Sequence, residues 1–285
     1  MKIGSYDLTA VEAGTMKLDG GAMFGSVPKA LWQREHPADD SNCIQLSCRI
    51  LMIKGKDRLL IVDSGMGDKW TAKERTIFGI APDYPPLETA LARAGFDPND
   101  VTDVIITHLH FDHAGGLTRH DQDGNLTPAF PKAVHWLQSS NLENAKNPNP
   151  RERASYRSEN FDFLEQVDLR LLNGASEIAP GIDVFISNGH TQGMQLVRVS
   201  GKEGSVTYCA DLIPTASHVH GAYTMGYDIN AGLLIEEKAK VLSEVMNDGG
   251  MLFFEHDPKG AMGGLKSDNR RIKFAGYVDD KGSLQ

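Results

Sequence analysis

The sequence predicts an α/β protein, a four-layer αβ/βα sandwich made by a single domain of residues 1–285. Its 285 residues are 40% hydrophobic and 24% charged, the composition of an ordinary globular domain. Strand patterns occur in two halves of the chain, and each half continues into helical segments, which suggests two related α/β units. No linker between the halves is long enough, or low enough in complexity, to indicate a domain boundary.

The first half begins with a predicted hairpin. Residues Cys43–Ile53 and Arg58–Asp63 are apolar and β-rich, and a short Lys- and Gly-containing turn joins them. The segment Pro86–Gly95 has proline at its start, an apolar stripe and a terminal glycine, so we expect a helix. The apolar run Val104–Thr107 then predicts a short buried strand.

The second half has a similar plan, although no repeat is visible in residue identity. The predicted elements are strands at Val184–Ser187, Gln195–Val199 and Val206–Cys209, a helix at Leu233–Met246 and a strand at Met251–Phe254. The polar segment Asn141–Arg157 is expected to be an excursion between the halves. Residues 1–42 are expected to be an N-terminal extension that contributes to a pocket or to a dimer.

Three histidines and an aspartate follow the strand that ends at Thr107. They lie in the stretch THLHFDHAGG as His108, His110, Asp112 and His113. Imidazole nitrogen and carboxylate oxygen are the ligands that hold zinc and similar ions, and this spacing presents several of them to one small volume. Further candidate ligands follow later strands: His190, Asp211 and His256. Ligands at strand ends are typical of α/β sheets.

Over roughly Cys43 to Asp257 the chain resembles the metallo-β-lactamase superfamily. The elements that carry the resemblance are Asp63-Ser64-Gly65, His108-x-His110-x-Asp112-His113, Ser187-Asn188-Gly189-His190-Thr191, Ala210-Asp211 and Glu255-His256-Asp257. The resemblance implies a centre of two divalent ions, zinc first, with manganese, cobalt or iron also compatible. It assigns one ion to His108, His110 and His190, the other to Asp112, His113 and His256, with Asp211 between them and Asp63 orienting a ligand.

Such a centre implies hydrolysis, because two divalent ions make hydroxide available at neutral pH and polarise a carbonyl or phosphoryl oxygen. Asp112 and Asp211 are then expected to pass a proton to the leaving group, and Tyr223 is the expected oxyanion donor. His110 stands where the oxygen-reducing diiron branch has glutamate, which argues against redox chemistry. A single-iron, persulfide-oxidising enzyme and a metal-binding protein without turnover remain as alternatives.

Within the superfamily, Gly20–Lys29 and Asp211–Thr215 are similar to the quorum-quenching lactonases and the related organophosphate hydrolases. The resemblance implies opening of an N-acyl homoserine lactone ring. Alternatives are hydrolysis of an organophosphate or aryl ester, or of a thioester as in the glyoxalase-like branch. In the lactonases the active-site tyrosine lies a few residues after the bridging aspartate, whereas the first one here is Tyr223, so the sequence departs from their pattern.

Composition also limits the partners. A net charge of −9 without an extended basic track argues against nucleic acid. No apolar run approaches the ~18 residues of a membrane span, and the first residues lack a signal-peptide pattern, so a cytoplasmic protein with a small-molecule substrate is expected. Cys43, Cys48 and Cys209 lack metal or redox spacing and are expected to be reduced and mostly buried.

Several apolar residues and histidines carry secondary predictions. An apolar, glycine-containing segment at Leu18–Trp32 predicts an exposed patch, and hence a homodimer in which Phe24 or Trp32 crosses the interface. An apolar acyl channel is expected to draw on Met23, Phe24, Trp32, Phe78 and Met225. One of His218 and His220 is expected in the pocket, while His36, His120 and His135 are expected at the surface or in packing.

Overall fold

A computed structural model describes residues 1–81, 83–269, 271–279 and 282–284 and shows two seven-stranded sheets. The first half of the chain forms one sheet, in the order β1-β2-β3-β4-β5-β8-β9, and β6 and β7 form a small separate hairpin. These strands are β1 (Lys2–Ile3), β2 (Tyr6–Asp19), β3 (Cys43–Lys54), β4 (Leu59–Val62), β5 (Asp103–Ile105), β6 (Thr118–His120), β7 (Leu126–Pro128), β8 (Val134–Gln138) and β9 (Asp168–Leu172).

The second half forms the other sheet, in which consecutive strands are neighbours from β10 to β16. They are β10 (Ser176–Ala179), β11 (Ile182–Ser187), β12 (Met194–Gly201), β13 (Gly204–Tyr208), β14 (Met251–Phe253), β15 (Met262–Asp268) and β16 (Arg271–Tyr277). The helices are α1 (Gly20–Phe24), α2 (Lys29–Trp32), α3 (Ala72–Ile77), α4 (Leu87–Arg93), α5 (Phe111–Ala114), α6 (Ser139–Lys146) and α7 (Ala231–Asn247).

Alternation along the strands explains the layers. In β4 every residue is buried, yet Leu60 and Val62 join a core shared with the second sheet, whereas Ile61 joins a separate core with α4. On the second sheet, Leu234 and Val241 of α7 pack against the strands. The order is therefore helix, sheet, sheet, helix, which confirms the predicted four-layer α/β sandwich.

Part of the N-terminal segment belongs to the first sheet. Strand β2 pairs with β3 from Asp7 opposite Lys54 to Asp19 opposite Cys43, and Met16, Leu18 and Met23 of the segment line a cavity. The sequence pattern did not predict strand β2, because a bulge between Glu12 and Thr15 breaks the alternation of apolar and polar residues.

The predicted exposed patch at Leu18–Trp32 is wrong. Met23, Phe24 and Trp32 are each at most 3% exposed and pack inside their own chain, with the Phe24 ring stacked between Trp32 and His218. Neither Phe24 nor Trp32 is therefore available to cross an interface, and the homodimer, which stays a prediction, loses that argument.

Burial of His218 beneath this segment gives the fold a pH dependence. Its Nδ1 lies 2.8 Å from Thr215 Oγ1 and its Nε2 lies 2.9 Å from the Met23 carbonyl oxygen, which only a donor can satisfy. Nε2 is therefore a donor, and in the neutral ring Nδ1 accepts from the Thr215 hydroxyl. Burial, then the charges of Lys238 and His36, lower the pKa of His218 to about 3, while the Met23 carbonyl and Asp211 oppose the shift.

Because this pKa is depressed on folding, the unfolded chain binds the proton first, and stability falls as the pH drops below the ordinary value near 6.5. We expect His218 alone to cost about 2 kcal/mol of unfolding free energy between pH 7.5 and pH 5. His218→Gln keeps one donor and one acceptor without titrating, so urea unfolding at both pH values should show a smaller acid loss in that variant. Equal losses in the two proteins would contradict this assignment.

No helix within the described ranges is long and apolar enough to cross a membrane. The three cysteines are free, and Cys48 and Cys209 are fully buried, as predicted.

Candidate metal centre

All seven predicted ligands meet where the strands of both sheets end. Three parallel pairs, β4 with β5, β5 with β8 and β13 with β14, place carboxyl ends at common edges. The turn after β5 carries His108 and His110, and the short helix α5 carries Asp112 and His113. His190, Asp211 and His256 follow β11, β13 and β14.

The ligand atoms form two groups. His108, His110, His190 and Asp211 place one ligand atom each within 4.8 Å of one another, and so do Asp112, His113 and His256. Around the first group, His110 Nδ1 lies 3.1 Å from His108 Nε2 and 3.1 Å from His190 Nε2. In the second, His256 Nε2 lies 3.4 Å from His113 Nε2. Ligands of a tetrahedral zinc ion with bonds of ~2.0–2.1 Å are separated by about 3.3–3.4 Å, so these spacings suit a metal.

Asp211 lies between the two groups. Its Oδ2 is 3.1 Å from His190 Nε2 and 3.5 Å from His113 Nε2, and its Oδ1 is 3.3 Å from His256 Nε2. This Oδ1 is buried, yet it has no hydrogen-bond partner among the described residues. A carboxylate placed between two imidazole clusters, with a free lone pair, has the position of a bridging ligand.

Hydrogen bonds on the far side of each ring fix its tautomer. His190 Nδ1 donates to Asp228 at 2.9 Å, His256 Nδ1 to the Ser47 carbonyl at 2.9 Å, and His113 Nδ1 to Asp63 and Glu255 at 3.0 and 2.8 Å. Each of these rings is then left with an acceptor lone pair on Nε2.

The tautomer of His108 is fixed by a hydrogen bond to Thr107, which is itself bonded to Asp63. The Thr107 hydroxyl donates to Asp63 at 2.7 Å, so it accepts from His108 Nδ1 at 3.0 Å and leaves His108 Nε2 as the acceptor. Four imidazole lone pairs therefore point into the space beside Asp211. Converging lone pairs repel one another unless a cation lies between them, so the donor set fits bound divalent metal.

Carboxylates beside His190 and His256 favour positive charge on those two rings. Burial opposes protonation, but Asp211 and Asp228 raise the pKa of His190 to about 10. Against the same burial, Asp211 and Glu255 raise the pKa of His256 to about 9. Burial and the neighbouring imidazoles lower the pKa of His108 well below its ordinary value, so the metal-free centre does not protonate every ring. A divalent ion bound here would replace the protons on His190 and His256.

Two left-handed residues shape the edges of the centre. Asp63 has φ 59° and Ala210 has φ 43°, values uncommon outside glycine. Asp63 directly follows β4, and Ala210 directly precedes Asp211. Asp63 uses this bend to reach His113 and Thr107, the orienting role predicted for it.

Glycines let the motif loops approach closely. A Cβ on Gly115 would lie 2.1 Å from the Met66 carbonyl oxygen, so the residue after α5 packs directly on the residue that follows the Asp63-Ser64-Gly65 turn. A Cβ on Gly189 would lie 2.4 Å from Leu234 Cα, so the His190 turn sits against α7. Glu237 of α7 fixes that turn by accepting from the Gly189 amide and from the Ser187 hydroxyl.

The segment Asn141–Arg157 contributes to the site, which the sequence did not indicate. Its first part is helix α6, where the Asn141 side chain links the Leu109 amide to the Gln192 carbonyl. Glu152 lies with Oε2 3.8 Å from His110 Nε2 and accepts from Thr191 at 2.6 Å. Burial raises the pKa of Glu152, but these donors outweigh it and lower the pKa to about 2, which keeps an anion beside the ligand ring.

A cavity of about 340 Å³ opens beside the ligands His110, Asp112, His190, Asp211 and His256. Its apolar wall is formed by Met16, Leu18, Met23, Leu46, Phe78, Phe111 and Met225. The volume and the apolar lining are typical of a small-molecule site. Met23, Phe78 and Met225 of the predicted channel thus line it, whereas Phe24 and Trp32 are buried behind it.

The predicted oxyanion donor lies away from this wall. Tyr223 packs its ring against His220 at 4.5 Å and edge-on against Phe24 at 6.1 Å, while Tyr227 lines the cavity. His220 is exposed and His218 is buried under Phe24, so neither reaches the cavity wall. Three residues of an irregular loop separate the two tyrosines, and sequence pattern does not resolve such a difference.

The other histidines fill the predicted surface and packing roles. His120 is exposed. His36 is buried with Nε2 3.0 Å from Ser217 Oγ, and His135 is buried with Nδ1 3.0 Å from the Ala133 carbonyl oxygen.

A buried centre of histidines and aspartates, at the strand ends of a four-layer sandwich, defines a metal-dependent hydrolase. Comparison with known proteins agrees, since the profile of the Metallo-beta-lactamase superfamily matches residues 44–256. The chain belongs to this superfamily.

Individual relatives support the same assignment. An N-acyl homoserine lactonase of Bacillus cereus is 25% identical over 229 residues, which cover 76% of this chain and 83% of the lactonase. The crystal structure of a probable metal-dependent hydrolase from Staphylococcus aureus is 30% identical with a TM-score of 0.87, covering 96% of this chain and 98% of that one. AidC, a dizinc quorum-quenching lactonase in complex with a product, shares the fold at 20% identity and a TM-score of 0.77, covering 96% and 95%.

Proposed function

We propose that the protein is a dinuclear, zinc-dependent lactonase that opens the ring of N-acyl homoserine lactones. The observation that carries the dinuclear assignment is the set of four tautomer-fixed imidazoles directed at Asp211 from both sides. The lactone substrate is supported by the relationship to the B. cereus lactonase and by the apolar wall beside the ligands, which suits an acyl chain.

Two divalent ions held by these residues would supply activated water and polarise the ester carbonyl oxygen. The protein's own residues would enclose the acyl chain, transfer a proton and stabilise negative charge on the substrate. The wall of Met16, Leu18 and Phe78 excludes water around the acyl chain. Asp112 lines the cavity, with its Oδ2 3.8 Å from His256 Nε2, and is placed to take up a proton and deliver it to the leaving oxygen.

Tyr227 is the better candidate for the hydrogen bond that stabilises negative charge on the substrate. It lines the cavity, and partial burial followed by Asp112 raises its pKa to about 12, so its hydroxyl carries a proton at neutral pH. Its place in the cavity, and the position of Tyr223 against Phe24, favour Tyr227 over the tyrosine expected from the sequence.

We expect Tyr227→Phe to lower kcat for lactone opening by about tenfold to a hundredfold with little change in KM, because the lost bond acts on developing charge. Tyr223→Phe is the matched variant and should stay within about twofold of the parent. Steady-state kinetics of both variants decide between the two tyrosines, and the reverse order of effects would restore Tyr223.

Acid release in weak buffer tests the substrate. The metal-loaded protein should release one acid equivalent per N-hexanoyl homoserine lactone and turn over aryl esters, glutathione thioesters and phosphotriesters more slowly. Efficient thioester hydrolysis without any lactone opening would replace this proposal with the glyoxalase-like alternative.

A further inference from the structure

Arg151 is the one charged residue of the cavity wall, within the described part of the chain, that has no role in the metal centre. The other charged residues lining the cavity are the ligands themselves and Glu152. Glu152 is 5% exposed and is held by Thr191, Asn144 and Asn149. The Arg151 guanidinium is therefore the charge left to meet a substrate.

No described carboxylate lies within ion-pair distance of Arg151. Several other arginines are paired, for example Arg49 with Glu12, Arg119 with Glu88 and Arg198 with Glu244, whereas Arg151 lines the cavity without such a partner among the described residues. Arg151 is exposed to solvent, and its recorded side-chain partner is a backbone oxygen, that of Gly226. A guanidinium has five donor hydrogens, so most of its hydrogen-bonding capacity remains free.

The bond to Gly226 holds the guanidinium in place at the cavity. Gly226 is itself fixed, because its amide donates to the Ala22 carbonyl at 2.7 Å. At the other end, the Asn149 side chain accepts from the Arg151 amide at 2.9 Å. A cation held at both ends loses little side-chain freedom on binding, which favours specific recognition.

We propose that Arg151 determines substrate specificity by binding a carboxylate on the part of the substrate that is not hydrolysed. The planar two-oxygen group of a carboxylate matches the donor fork of a guanidinium, and the apolar wall takes the chain between the two ends. The preferred substrate is thus an anionic lactone whose acyl group ends in a carboxylate. This inference rests on the proposed lactonase function for the identity of the reacting group.

The test compares two ring-opened products that differ only in the terminal group, N-hexanoyl homoserine and N-(5-carboxypentanoyl) homoserine, with shorter and longer carboxylated chains beside them. Calorimetric titration of the zinc-loaded protein should show about tenfold tighter binding for the best carboxylated chain. Arg151→Gln should remove that advantage while leaving the affinity for N-hexanoyl homoserine, which lacks the terminal carboxylate, within about twofold. Arg153→Gln, an exposed arginine outside the cavity lining, should keep it.

Initial rates on the matching lactones separate this inference from the proposed function. A carboxylate advantage that depends on Arg151 supports the inference whether or not either lactone is opened. Lack of lactone opening counts against the lactonase function alone. The inference is overturned if the wild-type protein shows no carboxylate advantage, including undetectable binding of every chain, or if Arg151→Gln retains the advantage.

Discussion

Replacing Asp211 with asparagine should lower kcat/KM for the proposed reaction by about a thousandfold or more, since bound metal contributes several kcal/mol to such transition states. The structure gives the reason, because Asp211 is the one carboxylate among the described residues that approaches both imidazole groups, at 3.1 Å from His190 and 3.3 Å from His256. The amide keeps the shape of the side chain but loses its charge and one acceptor. Bound metal should fall in the same variant.

Asp7→Asn provides the control. Asp7 is an exposed residue of β2 and lies at the opposite end of the β2–β3 pairing from Asp19. Its metal content, measured by mass spectrometry, and its initial rates should equal those of the unmodified protein. Full metal content with normal turnover in Asp211→Asn would contradict its position as the bridging ligand.

Removal of metal should have the second largest effect, this time on stability. Without a cation, the Nε2 atoms of His108, His190 and His256 surround Asp211 in a buried space, and only protons taken up by buried rings balance the charge of the carboxylate. A ligand that binds only the folded protein adds about 4 kcal/mol of unfolding free energy at a thousand times its Kd. We expect dialysis against a chelator to lower the Tm by about 5 °C or more for each site that is emptied.

Calorimetry of the metal-free protein with and without two added equivalents of zinc measures this effect. The Tm should recover on adding zinc but not on adding magnesium, because imidazole nitrogen is a poor magnesium ligand. An unchanged Tm after complete removal of metal would show that these residues are stable without it, and would contradict the electrostatic account.

The cluster of candidate ligands was predictable from the sequence because its members lie close along the chain or directly after recognisable strands. His108 to His113 occupy one turn, and His190, Asp211 and His256 follow runs that predict β11, β13 and β14. Strand ends in such a sandwich converge, so the order of elements was enough to place these side chains together.

Glu152 and Tyr227 were not predictable in the same way. Both lie in irregular segments, where no periodicity relates a residue to a direction in space. Glu152 reaches His110 because Asn144 and Asn149 hold it, and such contacts depend on the folded loop. In the sequence, the region of Glu152 shows only as a polar segment between the two halves. That pattern does not predict which of its side chains reaches the metal centre.

The buried segment Met23 to Trp32 shows a different limit. Apolar residues among glycines fit an exposed patch as well as a buried corner, since the sequence does not show what covers them. Here Trp32 packs so closely on Gly20 that a Cβ at residue 20 would lie 2.5 Å from the Trp32 ring, and His218 covers Phe24.

Titration of zinc into the metal-free protein, followed by acid release from N-hexanoyl homoserine lactone, tests the dinuclear lactonase most directly. The account predicts that ring opening is absent without metal and rises until two equivalents are bound, with Asp211→Asn inactive throughout. Maximal ring opening at one equivalent would contradict the dinuclear centre, and no ring opening at two equivalents would contradict the lactonase.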